Sequence, residues 1–142
     1  LWNTPATPAP IAAPLAEPTS AQLTVGPPPM GTRFRINVIP PGHYRHWPAR
    51  ADGKHLGMHR TRSIDYGIVL EGEIWLLLDD TETLLHPGDV VIQRGTVHAW
   101  ENRSERDVRM AFILIDGVYE PELQALLPAQ VEPSPSETGA RR

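Results

Sequence analysis

Apolar and polar residues alternate along most of the central part of the chain, a pattern typical of strands with one buried face. Residues 33–39 alternate strictly and predict a half-buried strand that ends at Pro40-Pro41-Gly42. Further short strands are predicted over residues 66–70, 74–78, 83–85, 89–93, 99–102 and 108–115. Many short strands separated by Gly- and Pro-containing turns predict an all-β sandwich or closed barrel. The lack of alternation between helices and strands argues against a parallel α/β fold.

Two local features complete this outline. Gly72 separates the second and third predicted strands, and we expect these two strands to pair as a hairpin around it. A short helix is predicted over residues 120–127, because Pro121 suits the first turn of a helix. The apolar side of this helix would consist of leucines, namely Leu123, Leu126 and Leu127.

Proline is concentrated at the two ends of the chain. Because proline lacks a backbone N–H and fixes φ, such stretches make poor helices and poor inner strands. We therefore predict a Pro-rich extended arm over residues 1–30, a barrel domain over 31–127 and a disordered tail over 128–142. Leu1-Trp2, at the start of the arm, is expected to pair at a sheet edge or to pack on a neighbouring subunit.

Composition narrows the class of protein. A chain of 142 residues with 40% apolar residues is long enough to form one domain with a buried hydrophobic core. Its net charge of −4 argues against a nucleic-acid partner, and no apolar run approaches the roughly 20 residues of a membrane helix. The absence of cysteine excludes disulfides, thiolate nucleophiles and sulfur-bound zinc. Because the chain begins without the pattern of a signal peptide, we expect a cytoplasmic protein with a small-molecule substrate and no membrane partner.

Residues suited to proton transfer or metal binding occur in two of the extended segments. Alternate residues of an extended chain share a face, so His59, Thr61 and Asp65 are expected to point the same way. His98 and Trp100 share a face for the same reason. If both faces point into one barrel, two imidazoles and a carboxylate meet in a pocket, where they can bind a divalent metal or transfer protons.

Each of these residues also has a purely structural explanation. A histidine beside a turn is often only solvated or hydrogen-bonded, Asp65 can cap a turn, and Trp100 can belong to the core. Arg60 and Arg62 alternate with the polar set, and we expect both on a solvated outer face. Periodicity alone leaves these alternatives open.

Two motifs in order resemble those of the small single-domain cupins, of the cupin-2 conserved-barrel type. His59-x-Thr61-x3-Asp65-x6-Gly72 is similar to the first cupin motif, usually His-x-His-x3-Glu-x6-Gly. Gly88-x5-Arg94-Gly95-x2-His98-x3-Asn102 is similar to the second, usually Gly-x5-Pro-x-Gly-x2-His-x3-Asn. The resemblance covers roughly residues 33–116 and implies an antiparallel jelly-roll barrel with a pocket at its mouth.

The metal ligands that the resemblance implies are an incomplete set. Thr61 stands where a second histidine is usual, Asp65 where glutamate is usual, and Arg94 where proline is usual. The remaining ligands would be His59, Asp65 and His98, which are similar to the facial triad of non-haem iron oxygenases. Zinc, manganese, nickel or iron would suit them, and without metal the same groups can transfer protons. No organic cofactor is implied.

The resemblance implies an enzyme, and we expect a non-redox lyase or isomerase that acts on a small organic acid or polyketide-like compound. His98 would be the general base, and Asp65 would orient an imidazole. The enolate would be stabilised by His59 or by a metal held by His59, Asp65 and His98. The residues expected to contact the substrate are Gln93, Trp100, Tyr66 and Thr61. The alternatives are a metal-dependent dioxygenase with non-haem iron and a non-catalytic ligand-binding domain. A homodimer is also expected, through edge strands or swapped termini.

Overall fold

The computed structural model describes residues 2–11, 25–44 and 53–127. Within these ranges the chain forms eight strands and one short helix. In chain order they are β1 (Trp2–Thr4), β2 (Thr32–Ile39), β3 (Ser63–Glu71), β4 (Ile74–Leu77), β5 (Glu82–Leu85), β6 (Val90–Arg94), β7 (Ala99–Glu101), β8 (Val108–Asp116) and α1 (Pro121–Leu126). The predicted all-β fold with a short C-terminal helix is confirmed. Among the described residues, no helix has both the length and the apolar character needed to cross a bilayer.

The strands form two antiparallel sheets that share one core. Five strands make a sheet in the order β1-β2-β8-β3-β6, and three make a second sheet in the order β5-β4-β7. Side chains from both sheets meet in an apolar cluster that includes Val69, Ile74, Trp100 and Met110. Burial of such side chains is the main force that holds the two sheets together, at about 25 cal/mol per Å² of apolar surface.

The prediction that the strands on either side of Gly72 pair as a hairpin is wrong. β3 pairs with β6 and β8, whereas β4 pairs with β5 and β7 in the other sheet. Gly72 has a φ of +80°, so the chain turns sharply there and passes from one sheet to the other. The residues on either side of this turn, Val69 and Ile74, are both buried in the shared core. Burial in one core therefore explains the apolar pattern without direct pairing of the two strands.

β2 buries the face opposite to the one that its composition suggests. Phe34, Ile36 and Val38 point outward and are 41–55% exposed. On the inner face, Arg33 is buried and Arg35 is half-buried. Alternation defines two faces of a strand, but it does not say which of them meets the interior. As a result, the interior carries cationic side chains beside β2.

The beginning of the predicted arm forms an edge strand. Trp2–Thr4 pairs with residues 32–34 of β2, and Asn3 Oδ1 accepts a hydrogen bond of 2.9 Å from Arg33 Nε. Residues 12–24 of the arm and the predicted tail over 128–142 lie outside the described residues, and the division of the chain at residues 30 and 127 stays a prediction. Helix α1 buries none of its residues, so its predicted apolar side has no cover within the described structure.

Candidate functional site

Two histidines from separate segments lie side by side. The backbone N–H of His59 donates to the carbonyl oxygen of His98, and the N–H of His98 donates to the carbonyl oxygen of His59, both at 2.9 Å. This isolated bridge sets the ring centroids 4.5 Å apart, with the ring planes inclined by 52°. The structure therefore brings together the two histidines that the alternation and the motifs single out.

The ring nitrogens of both histidines are oriented by backbone carbonyl groups. His59 Nδ1 lies 2.7 Å from the oxygen of Gly57, and His98 Nδ1 lies 2.9 Å from the oxygen of Thr96. A carbonyl oxygen only accepts, so in the neutral ring the proton sits on Nδ1 and Nε2 keeps its lone pair. This is the arrangement of imidazoles that serve as bases or as metal ligands.

His98 is almost completely removed from solvent, with 3% of its surface exposed. Trp100 covers it edge-on, at 5.9 Å between ring centroids. Burial lowers the pKa of His98 to about 4; the neighbouring His59 also lowers it, while the contact with the Thr96 carbonyl raises it. His98 is therefore neutral at pH 7, and a base of this strength suits a substrate with an acidic C–H bond.

Asp65 lies on the inner face of β3, where it is buried. Its Oδ2 accepts a hydrogen bond of 3.1 Å from the hydroxyl of Thr61. Its Oδ1 is buried without a hydrogen-bond partner. The hydroxyl oxygen of Ser63, two residues earlier on the same face of β3, is likewise buried without a hydrogen-bond partner. Unpartnered buried oxygens are uncommon in folded proteins, and they mark Asp65 as a group that can meet a ligand.

The charge state of Asp65 reflects a balance of opposing effects. Burial raises the pKa of its carboxyl group, and this effect is the largest. The nearby hydroxyls of Ser63 and Thr61 lower the pKa, and the charges of Arg35 and His59 lower it further. The net result is a raised pKa, which is characteristic of carboxyl groups that exchange protons.

Two of the predicted substrate contacts surround Asp65. Gln93 is directly opposite Asp65 in the pairing of β3 with β6, and it is buried. Its Oε1 accepts a hydrogen bond from the hydroxyl of Thr96. Thr61 donates to Asp65, so its observed role is to hold the carboxylate in place. Both residues therefore border the same polar group.

The other two predicted substrate contacts are placed differently. Tyr66 alternates with Asp65 and Gly67 along β3, so its side chain lies on the outer face of the sheet and is exposed. The structure therefore does not bring Tyr66 to the polar site, and its role as a substrate contact stays a prediction. Trp100 belongs to the core and also contacts Phe112, at 5.5 Å between centroids. It lies beside His98 and forms a wall of the site.

The metal site implied by the cupin motifs fits these residues only in part. The imidazole pair offers two nitrogen donors. Within the part of the chain that the structure describes, no three His, Cys, Asp or Glu side chains are grouped so that they could hold a metal ion. Asp65 is one methylene shorter than the usual glutamate, and its Oδ2 is bonded to Thr61. A metal ion bound by His59, Asp65 and His98 stays a prediction, and we assign no step to it.

The structure adds residues that sequence reasoning missed. Arg62 is exposed, but Arg60 is buried, with its guanidinium group 5.9 Å from the ring centroid of Tyr119. The hydroxyl of Tyr119 contacts the carbonyl oxygens of Thr61 at 3.3 Å and Gly95 at 3.1 Å. Tyr119 thus connects the segment before β3 to the turn that precedes His98. No local pattern marks a tyrosine that follows the last strand.

Arg35 was also missed, because alternation in β2 left its face undecided. Its guanidinium group lies 5.6 Å from the ring centroid of Phe112, which is buried on β8. Its charge also favours the ionised form of Asp65. The interior of this acidic protein therefore carries positive charge beside the candidate site, where an anion would be favoured.

Two antiparallel sheets that share an apolar core and enclose a polar site with paired histidines define a small jelly-roll barrel. The family model described as "Cupin domain" matches residues 39–115, more than half of the chain, and the chain belongs to this family. The predicted cupin resemblance is confirmed.

The curated relatives that this chain matches are longer proteins. The chain is 47% identical over 90 residues to phomopsin biosynthesis cluster protein C' of Diaporthe leptostromiformis, covering 62% of this chain and 42% of that protein. It is 40% identical over 70 residues to the cupin-domain-containing oxidoreductase fogC of Aspergillus ruber, covering 46% of this chain and 34% of that protein. The chain thus spans less than half the length of these relatives. Among solved structures, a Cupin 2 conserved barrel domain protein from Salinispora arenicola is 23% identical, with a TM-score of 0.44 over 60% of this chain and 63% of that one.

Proposed function

We propose that this chain is the catalytic barrel of a cupin enzyme that moves a proton on a small organic acid or polyketide-like compound. The reaction is a non-redox lyase or isomerase step, such as decarboxylation, dehydration or a shift of a double bond. One observation carries this proposal: the ring of His98 is buried with its Nδ1 2.9 Å from the carbonyl oxygen of Thr96, which leaves Nε2 to act as a base, and Asp65 in the same site has a buried oxygen without a hydrogen-bond partner.

In this mechanism His98 Nε2 removes a proton from the carbon next to a carbonyl group. The electron pair of the broken C–H bond moves into the carbonyl group and gives an enolate. The positive charge of Arg35 and the amide N–H groups of Gln93 stabilise the negative oxygen. The imidazolium then returns the proton to another carbon in an isomerisation, or to a departing hydroxyl group in a dehydration. In a decarboxylation no C–H bond breaks first: the bond to the carboxylate breaks, carbon dioxide leaves, the electron pair gives the same enolate, and water supplies the proton. Asp65 interacts electrostatically with His59, and it does not orient an imidazole as the sequence predicted, because the Nδ1 atoms of both histidines contact backbone carbonyl oxygens.

A second candidate, an oxidoreductase, is favoured by the names of relatives. The relatives from Aspergillus ruber and Hypocrea virens are both called cupin-domain-containing oxidoreductases. This chain covers 34% of the first and 32% of the second, so their activity is carried over here only as a proposal. Such an enzyme, of the non-haem iron dioxygenase type, would consume oxygen, which separates it from proton transfer. A domain that only binds a ligand would neither consume oxygen nor transfer a proton.

The test is hydrogen exchange on a panel of β-keto acids and 1,3-dicarbonyl compounds in D₂O, followed by NMR. We expect the protein to accelerate exchange at the carbon between the carbonyl groups, and His98→Gln to lower that rate by at least about 100-fold. His86→Gln is the matched control, because His86 is an exposed histidine in a surface turn. Its rate should equal that of the wild type.

Other results would contradict the proposal. Equal exchange rates for the wild type and a folded His98→Gln variant would remove His98 from the chemistry. Oxygen uptake with these compounds, without exchange, would favour the oxidoreductase. Saturable binding with neither exchange nor oxygen uptake would favour a ligand-binding domain.

A further inference from the structure

A row of polar side chains runs along one side of the candidate site, at alternate positions of the chain. His59 and Thr61 precede β3 and are half-buried. Ser63 and Asp65 lie on the inner face of β3 and are only 5% and 6% exposed. The two parts of the row meet, because the hydroxyl of Thr61 donates to Asp65 Oδ2 at 3.1 Å. The row therefore leads from a partly exposed rim to a buried polar end.

The buried end of this row holds two oxygens whose hydrogen bonds are incomplete. Ser63 Oγ and Asp65 Oδ1 are both buried, and neither has a hydrogen-bond partner among the residues that the structure describes. The Ser63 hydroxyl lies close enough to the carboxyl group of Asp65 to lower its pKa. Buried polar groups without partners are uncommon and costly, so a ligand that completes both sets of hydrogen bonds would be favoured at this point.

The hydrogen-bonding capacity of the two oxygens selects the ligand group. A serine hydroxyl can donate one hydrogen bond, whereas the oxygen of an ionised carboxylate only accepts. A ligand hydroxyl suits both, since it can donate to Asp65 Oδ1 and accept from Ser63. A carbonyl oxygen cannot donate, so it would leave Oδ1 without a partner. An ammonium group could donate to both oxygens, but the positive charge of Arg35 acts on Asp65 and disfavours a second cation beside it.

The surroundings of this polar end are apolar and aromatic. The next residue on the inner face of β3 is Gly67, which is covered by two aromatic rings. A Cβ added to Gly67 would lie 3.2 Å from an atom of the Phe112 ring and 3.5 Å from an atom of the Trp100 ring. The group that reaches Asp65 would therefore belong to a compound with an apolar or aromatic body.

We propose that Ser63 and Asp65 form a hydroxyl-binding subsite, and that the compound bound in this barrel is a hydroxy acid with an apolar body. Its hydroxyl donates to Asp65 Oδ1 and accepts from Ser63 Oγ. Its carboxylate is stabilised by the positive charge of Arg35, and its body packs against Trp100 and Phe112. This inference rests on the proposed function, because it names the substrate class of the same site. It adds Ser63 as a residue that determines specificity.

The test is calorimetric binding of 3-phenylpropanoate and of its 3-hydroxy and 3-amino derivatives to the chelator-treated full chain at pH 8. We expect the hydroxy acid to bind at least about 10-fold more tightly than the other two. Ser63→Ala should weaken binding of the hydroxy acid about 10-fold and leave binding of 3-phenylpropanoate unchanged, which also shows that the variant is folded. Ser104→Ala is the matched control, since Ser104 is exposed in the loop before β8, and it should keep the wild-type preference.

Four results would overturn the subsite. They are no measurable binding of the hydroxy acid up to about 10 mM, equal affinity of the wild type for the hydroxy and unsubstituted acids, tighter binding of the amino acid, and an unchanged preference in Ser63→Ala. A hydroxyl preference that requires added zinc or iron would also overturn it, because Asp65 Oδ1 would then hold the metal.

The hydrogen-exchange assay in D₂O separates this inference from the proposed function. Exchange that depends on His98, without any hydroxyl preference, would leave the proton-transfer proposal standing and remove the hydroxyl subsite. A hydroxyl preference that is lost in Ser63→Ala, without exchange, would support the subsite and contradict the proton-transfer proposal.

Discussion

Asn102 gives the sharpest test of how the barrel is held together. It is 2% exposed, and its amide nitrogen donates to the carbonyl oxygens of Ile39 at 2.8 Å and Arg106 at 2.7 Å. Its amide oxygen accepts from the N–H of Ser104 at 2.9 Å and from the hydroxyl of Ser104 at 2.7 Å. One side chain thereby connects the end of β2 to the loop that leads into β8.

Asn102→Ala removes these four hydrogen bonds and leaves buried backbone groups without partners. At about 1 kcal/mol for each bond, we expect the free energy of unfolding to fall by roughly 3–4 kcal/mol. Asn102→Asp keeps the shape but replaces the donating nitrogen by an oxygen less than 3 Å from two carbonyl oxygens. Because this variant also buries an unpaired charge, its free energy of unfolding at pH 7 should fall by more than that of the alanine variant.

The measurement is urea unfolding followed by tryptophan fluorescence, with both variants and the wild type at pH 7. Ser104→Ala is the control, since it removes only the hydroxyl contacts of an exposed residue and should cost no more than about 1 kcal/mol. The reasoning would be refuted if Asn102→Asp proved as stable as the wild type, or clearly more stable than Asn102→Ala.

Three further predictions use the same unfolding assay or a metal analysis. Gly72→Ala should lower the free energy of unfolding by about 1–3 kcal/mol, because Gly72 has a φ of +80° and the added Cβ would lie 2.9 Å from Val108 Cγ2. Gly88→Ala, with a φ of +95° and no atom within 4 Å, should lose less, and equal losses would contradict this account. Because folding lowers the pKa of His98 from 6.5 to about 4, the unfolded chain binds more protons between these values. In chelator-treated protein, stability should therefore fall as the pH drops from about 6.5 to about 4, by roughly 3 kcal/mol from this group. His98→Gln should lose that part of the slope, and an unchanged slope would refute the assignment. Any zinc, manganese, nickel or iron that remains bound to protein purified without a metal-affinity tag should be lost in both His59→Ala and His98→Ala, because the imidazole pair offers the two nitrogen donors; metal retained in both variants would place it elsewhere.

Local alternation was sufficient to predict most strands, because strand formation depends on a two-residue period that the sequence displays directly. Which strands pair is a long-range property, and there the sequence was ambiguous. A hairpin and a crossover at Gly72 both require a glycine that turns the chain and apolar residues on each side. Only the pairing distinguishes them, since β3 pairs with β6 and β8 while β4 pairs with β5 and β7 in the other sheet.

The candidate site was predictable to the extent that its residues share one strand face or one motif. His59 and His98 follow from their motifs, and Asp65 follows from alternation with Thr61. Tyr119 reaches the site by hydrogen bonds to Thr61 and Gly95, which are far from it in sequence. No periodic pattern can predict such a contact, since it depends on where the chain goes after its last strand.

The polar interior and the apolar exterior of the larger sheet have one physical origin. A strand has two faces, so a strand that turns Arg35 toward a site must turn Phe34 and Ile36 away from it. On β3 the same rule directs Asp65 inward and Tyr66 outward. The same alternation therefore brings the positive charge of Arg35 and the carboxyl group of Asp65 to one side of the sheet, where an anionic substrate would be favoured, and leaves apolar side chains on the other side.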